Sequence, residues 1–205
     1  NSLLVAGSAT FVSVLFSSMA AYSLVRLKYL YRNWIGRLIL FTYLMPSGML
    51  FIPLSVMISR LQLGNTLHGL IFVYLTFAAP LSTWLLMGYF RSIPFELDEQ
   101  AMVDGATRFQ AFYRIVLPLT GPGLVAVSVF TFTAAWNELL YALIFITSPS
   151  LQTVPVAISR LITGDVFRWG LIMAASMFAA LPVMILYYFA QRFVVQGLAA
   201  GAVKG

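Results

Sequence analysis

An all-α membrane fold, a single polytopic bundle of about five helical spans over residues 1–205, is predicted by three observations. The chain of 205 residues is 61% hydrophobic and only 9% charged, with a mean hydropathy of +0.93. A soluble domain carries about a quarter charged residues, so this chain cannot cover a water-facing surface and lipid must be its solvent. Charge-free runs lie at 1–25, 38–59, 61–90, 115–137 and 169–191, each close to or above the roughly 20 apolar residues that cross a bilayer. Finally, the basic residues are distributed asymmetrically between the intervening loops.

The elements follow in order. The first span, near 3–25, contains no charge. The second, near 36–58, carries Pro46, Gly48 and Pro53. Interior proline removes a backbone hydrogen bond and bends a helix, so this span is expected to be kinked, either to line a pathway or for packing. The third lies near 68–90. The fourth, near 119–145, contains Glu138, the one acid placed inside a span. The fifth lies near 170–191. Residues 147–169, with Pro149, Pro155, Gly164, Arg160, Asp165 and Arg168, read as an external loop with a short surface helix.

Orientation follows from Lys and Arg placement. With five spans, one side receives Arg26, Lys28, Arg32, Arg37, Arg91, Arg108, Arg114, Arg192 and Lys204; the other receives Arg60, Arg160 and Arg168. Nine against three places the 92–118 loop and the C-terminus in the cytoplasm and Asn1 outside. An upstream segment supplying one more span is expected, because the chain enters an apolar run at Asn1 without a basic leader. The net charge of +6 clusters beside apolar spans, which is a topology signal and not a nucleic-acid surface. No cysteine is present and His68 is the single histidine, so neither thiolate nor histidine metal clusters are available.

The loop 92–118 is an island of charge. Arg91, Arg108 and Arg114 accompany Glu96, Asp98, Glu99 and Asp104. Pro94 suits a first helical turn, and the three acids after it favour the positive end of the helix dipole. Gly105 allows a positive-φ turn or a close backbone contact. A second helix is expected over 107–116, with Phe109, Phe112, Tyr113 and Val116 at helical spacing, ended by Pro118. By composition alone, this amphipathic pair either lies on the membrane surface or receives a partner.

The run EQAMVDGATRFQAFYRIVLPLTGP, residues 99–122, resembles the cytoplasmic EAA loop of ABC-importer permeases. Glu99, Ala101, Asp104, Gly105, Ala106, Phe112, Ile115, Leu117, Pro118 and Pro122 stand in that family's order and spacing; Gln100 departs, where the family usually has Ala. Asn1-Ser2-Leu3, Ala135-Trp136-Asn137-Glu138 and the C-terminal stretch from Gln191 to Gly205 are similar to the maltose-type, carbohydrate-importing branch. The resemblance implies the type I ABC-importer permease fold, with six spans expected in the family. It implies partners: two ATP-binding subunits, a second permease subunit of different sequence, and an external solute-binding protein, all at a bacterial or archaeal plasma (inner) membrane. It also implies that Glu99 and Asp104 make polar contacts to the ATPase, that Gly105 permits the turn, that Ala101 and Ala106 permit close approach, and that Met102 and Phe109 fill its cleft. Ile115, Leu117 and Pro118 complete the coupling segment.

No nucleotide site is legible in this chain. A Walker A loop needs Gly-Lys-Ser/Thr, and the lysines are Lys28 and Lys204; ATP and Mg are expected on the partner subunit, with no cofactor here. Trp136, Asn137 and Glu138 are candidates for the translocation path, because charge inside a span is costly and faces a cavity or a partner; an interhelical hydrogen bond is the other reading of Glu138. Arg160, Asp165 and Arg168 are either a solvated loop or a contact for the binding protein. A permease for an amino acid, peptide or ion is the first alternative function. A secondary transporter is the second; it predicts several intramembrane charges and an inverted repeat, neither of which is found. A membrane CDP-alcohol transferase lacks its later aspartates, since Asp165 alone follows Asp104.

Overall fold

The computed structural model describes residues 1–163 and 166–202; Gly164, Asp165 and Val203 to Gly205 lie outside the described residues. The described residues form eleven α-helical segments. The first four are α1 (Ser2–Arg26), α2 (Arg32–Leu44), α3 (Ser47–Arg60) and α4 (Leu67–Ser92). The loop and its exit hold α5 (Glu96–Val103), α6 (Arg108–Ala111), a π-helical turn at Phe112–Val116 and α7 (Leu117–Leu119). Then come α8 (Gly121–Trp136), α9 (Leu140–Phe145), α10 (Val154–Ser159) and α11 (Trp169–Ala202). A two-residue antiparallel ribbon, Ile162–Thr163 with Val166–Phe167, interrupts the expected external loop.

Helices α1 and α4 form the centre because α1 presents a stripe of small residues. Ser2, Ala6, Ala9, Ser13, Ser17 and Ala21 recur at three- or four-residue spacing and are buried. Without a hydrophobic force between helices in lipid, small side chains allow close backbone approach and hydroxyls link the helices. Ser13 Oγ lies 3.0 Å from Ser82 Oγ on α4, and Ser82 Oγ lies 2.8 Å from Thr131 Oγ1 on α8. Ser17 Oγ and Thr83 Oγ1 both donate to the Ala79 carbonyl, just before Pro80. This polar belt separates two apolar clusters. One gathers Val5, Ala9, Ile58, Val73, Trp136 and Ile146; the other gathers Tyr22, Val25, Phe90, Phe112, Val116 and Val127 beside the charged loop.

Contacts along these helices set their directions. Val5 and Val73 share the first cluster, Tyr22 and Phe90 the second, so α1 and α4 run parallel. Val127 and Trp136 occupy the two clusters in the opposite order, so α8 is antiparallel to them. A parallel α1 and α4 require a return crossing between them, which α2 and α3 supply.

Two expected spans are corrected. Residues 36–58 are not one kinked helix: Arg32–Leu44 and Gly48–Arg60 are bent by 99°. The break falls at Met45, extended at ψ 133°, and Pro46, ψ 127°, as expected when proline disfavours the α conformation of its predecessor. Residues 119–145 are likewise divided. Arg108–Leu119 meets Gly121–Trp136 at 76°, and α8 then ends at Asn137. Among the described residues three helices, Ser2–Arg26, Leu67–Ser92 and Trp169–Phe193, are long and apolar enough to cross a membrane unaided; counting each bent pair as one span brings the total to at most five.

Candidate coupling site

The loop 92–118 folds as a helical hairpin whose bend is built from two interlocking caps. At the end of α5 the Ala106 N–H donates to the Ala101 carbonyl at 2.9 Å, and the Gly105 N–H donates to the Met102 carbonyl at 3.1 Å. This is a Schellman closure, which needs a left-handed residue after the cap. Gly105 supplies it at φ +88°, and a Cβ built there meets nothing within 4 Å. Of the two roles open to Gly105 in the sequence, the conformational one applies within this chain. Two residues later Thr107 starts α6 with a reciprocal capping box: the Gln110 N–H donates to Thr107 Oγ1 at 3.3 Å, and the Thr107 N–H donates to Gln110 Oε1 at 2.7 Å. These bonds satisfy backbone groups that a helix end otherwise leaves open.

The hairpin has an inner and an outer surface. Asp98, Ala101, Ala111, Phe112 and Val116 are buried. Glu99, Asp104, Gly105 and Phe109 are exposed, and Met102, Ala106, Ile115 and Leu117 are half-buried while Pro118 is exposed. Val103 at 87% and Phe109 at 63% exposure project furthest among the apolar side chains. Ala101 therefore packs against its own chain, and Val103, not singled out in the sequence, stands where an apolar contact is open. Helix continues past Phe112 as a π turn, with the Leu117 N–H donating to the Phe112 carbonyl. Pro118 has no N–H to give and its ring crowds the preceding turn; the wider turn accommodates it. The expected stop at Pro118 thus becomes a bend at Thr120.

Arg26, at the last turn of α1, holds the hairpin to the spans. Its side chain is 2% exposed and its Nη1 lies 3.5 Å from Asp98 Oδ2. Nη2 donates to the carbonyls of Phe90 at 3.0 Å and Ile93 at 2.8 Å, and Nη1 to that of Pro94 at 3.3 Å. The guanidinium sits 4.3 Å from the centre of the Phe95 ring. A cation is favoured where a helix leaves its last carbonyls unpaired, and the planar fork of arginine reaches several acceptors at once. Burial pushes the Asp98 carboxyl above its ordinary value, opposed by the positive charges of Arg26 and Arg108. Tyr22, one turn before Arg26, donates to the Arg108 carbonyl at 3.4 Å and packs on Phe112 at 4.9 Å between ring centres.

At the other end of the bundle, Trp136, Asn137 and Glu138 sit at the break after α8. Glu138 is not inside a helix. Its carboxylate accepts the Tyr141 N–H at 2.8 Å and the Ala142 N–H at 3.1 Å, capping α9. The helix start thus supplies the acid with donors and the positive end of its dipole. Trp136 is buried, stacks on Phe132 at 5.6 Å, and donates its indole N–H to the Ala179 carbonyl of α11 at 3.0 Å. Asn137 is exposed and bonds back to Thr133. Trp136 and Asn137 border an open cleft of about 510 Å³ between α8, α10 and α11, also lined by Pro155, Ser159, Ser176 and Val183.

A family model described as the inner membrane component of binding-protein-dependent transport systems matches residues 13–200. The chain belongs to this family. Among curated relatives, the trehalose/maltose transport permease MalG of Thermococcus litoralis is 38% identical over 207 residues, covering all of this chain and 74% of its own. The inner membrane ABC transporter permease YcjP of Escherichia coli is 39% identical over the whole chain and 73% of its own length. The trehalose transport permease SugB of Mycobacterium tuberculosis is 38% identical, with 100% and 76% covered.

Within this permease, the residues carrying the sequence resemblance come together only in part. Asp104 and Gly105 are exposed at the bend, Glu99 is exposed beside the cleft it lines with Tyr22, Arg26 and Asp98, and Ile115 and Leu117 belong to the stem. Sequence reading assigned Arg26 to topology alone. The signal that would have found it is an arginine at the end of an otherwise uncharged span, with an acid following the next span.

Proposed function

We propose that this permease is the membrane subunit of an ATP-driven importer, forming half of the path for a carbohydrate delivered by an external binding protein. The observation that carries the reading is the rigid, doubly capped hairpin with Val103, Phe109, Glu99 and Asp104 on its outer surface. That surface suits a cleft in a separate ATP-binding subunit, which would hold ATP and Mg. Two such subunits closing on ATP would draw the hairpins of two permeases together and turn the path outward. The sugar assignment is supported by relatives whose names specify trehalose, maltose and diacetylchitobiose. The partner permease is read as a different chain. The basic ends at Arg26, Lys28, Arg32, Arg91, Arg108 and Arg114 support a cytoplasmic hairpin, with residues 92–118 as the coupling loop. The Trp136–Asn137 cleft borders the candidate path.

The test is a gentle-detergent purification of the tagged full-length permease from its native membrane. An ATP-binding subunit and a second permease should accompany it, and vesicles holding the complex should take up sugar with ATP. A chain that purifies alone under several detergents and moves solute with an ion gradient would reject the proposal. Because the chain has no cysteine, Val103→Cys and His68→Cys report sidedness directly: an impermeant maleimide added outside intact cells should label the second and spare the first.

A further inference from the structure

We propose that Arg26, clamped on Asp98, is the positioning residue that passes movement of the coupling helix α5 into the transmembrane spans; this rests on the coupling role proposed above. The argument starts from how α5 is attached. It is eight residues long, and its two connections differ. On the C-terminal side the Schellman closure at Gly105, φ +88°, fixes α5 to α6. On the N-terminal side, Ile93 is extended at ψ 132° and ends the α4 ladder. The helical ladder is interrupted there, so a push on α5 would reach α4 only through side-chain contacts.

Arg26 bridges that link. One guanidinium bonds Phe90 before the joint, Ile93 and Pro94 within it, and Asp98 on α5 beyond it, while stacking on Phe95. Its backbone belongs to a different element, α1. The far joint is braced by the same helix through Tyr22 and the Arg108 carbonyl. Helix α1 is in turn tied to α4 and α8 by the Ser13, Ser82 and Thr131 hydroxyls. A displacement of α5 therefore carries α1 with it, and α1 carries the bundle. Arg26 itself is buried, so it acts through the hairpin and does not face a docked subunit.

The experiment uses the complete transporter, with full-length permease, partner subunits and binding protein, in proteoliposomes. Sugar transported per ATP hydrolysed is measured for Arg26→Gln, Arg26→Lys and Asp98→Asn, together with the amount of ATP-binding subunit bound. In Arg26→Gln the subunit should remain bound and hydrolyse ATP, while sugar per ATP falls about tenfold or more, the scale of an allosteric coupling. Arg26→Lys keeps the charge without the planar fork and should fall between wild type and Gln. Asp98→Asn should also lower the ratio. Full subunit binding with an unchanged ratio in Arg26→Gln overturns the proposal. Loss of the subunit in that variant also overturns it, since Arg26 would then shape the docking surface. If Arg26→Gln does not reach the membrane, Asp98→Asn decides: a lowered ratio supports the clasp and a wild-type ratio rejects it. Failure of the underlying coupling reading looks different, because the wild-type permease would then bind no ATP-binding subunit.

Discussion

Replacement of Gly105 separates what the chain requires of this position from what a partner requires. At φ +88° any L side chain is strained, and a Cβ there would touch nothing within 4 Å. The intramolecular cost is therefore purely conformational, roughly 1–2 kcal/mol for a residue other than glycine in the left-handed region. It should be nearly the same for Ala and Leu, because the position is exposed and the Cβ meets no neighbour, and smaller for Asn, which tolerates this conformation. In thermal unfolding of the purified permease alone, Gly105→Ala and Gly105→Leu should be destabilised equally, and Gly105→Asn less. In uptake by the complete transporter the order should change. If an ATP-binding subunit closes over the exposed bend, Leu should lose at least about tenfold more uptake than Ala, an overpacking cost of about 1–3 kcal/mol. Equal uptake for Ala and Leu would show that no partner approaches Gly105. An Ala variant as stable as wild type would refute the φ argument itself.

Other perturbations test the bundle. At Gly123 a Cβ would lie 2.6 Å from the Tyr89 ring, so Gly123→Ala must shift that ring or the α8–α4 contact and should cost about 1–3 kcal/mol in detergent unfolding; an unchanged melt would contradict the packing. Ser82→Ala removes both hydroxyl links of the polar belt and should cost about 1 kcal/mol, since such bonds average roughly 0.6 kcal/mol in membranes. Glu138→Gln retains one acceptor for the α9 N–H groups and should lose about 0.5–1 kcal/mol while uptake stays near wild type. Abolished uptake in a well-folded Glu138→Gln permease would mean the carboxylate does more than cap α9.

Much of the hairpin was legible locally. A glycine after a short helix and the start of a second helix at Thr107 were read from adjacent residues, because the bonds that cap them span only a few positions; the reciprocal box of Thr107 with Gln110, equally local, was not singled out. The break at Pro46 was legible as a bend, but not as a 99° turn, since the angle depends on what each half packs against. Glu138 was misplaced within a helix because hydropathy averages over a window, whereas three residues suffice to end α8 and start α9.

The sequence by itself determined that lipid is the solvent and how the basic residues are apportioned between the apolar runs, because these follow from sums over long runs of residues: apolar length against bilayer thickness, and lysine and arginine counts between runs. It also carried, in one contiguous motif, the resemblance of the 92–118 loop to the coupling loop of this family. Tertiary structure alone decided which side of that loop is open. Ala101 turns inward and Val103 outward, two residues apart, because α5 is seated on the spans by Arg26, and Arg26 is 72 positions from Asp98 in the chain. A contact of that separation leaves no periodic trace; it exists only once α1 and α4 lie parallel and bring their ends together.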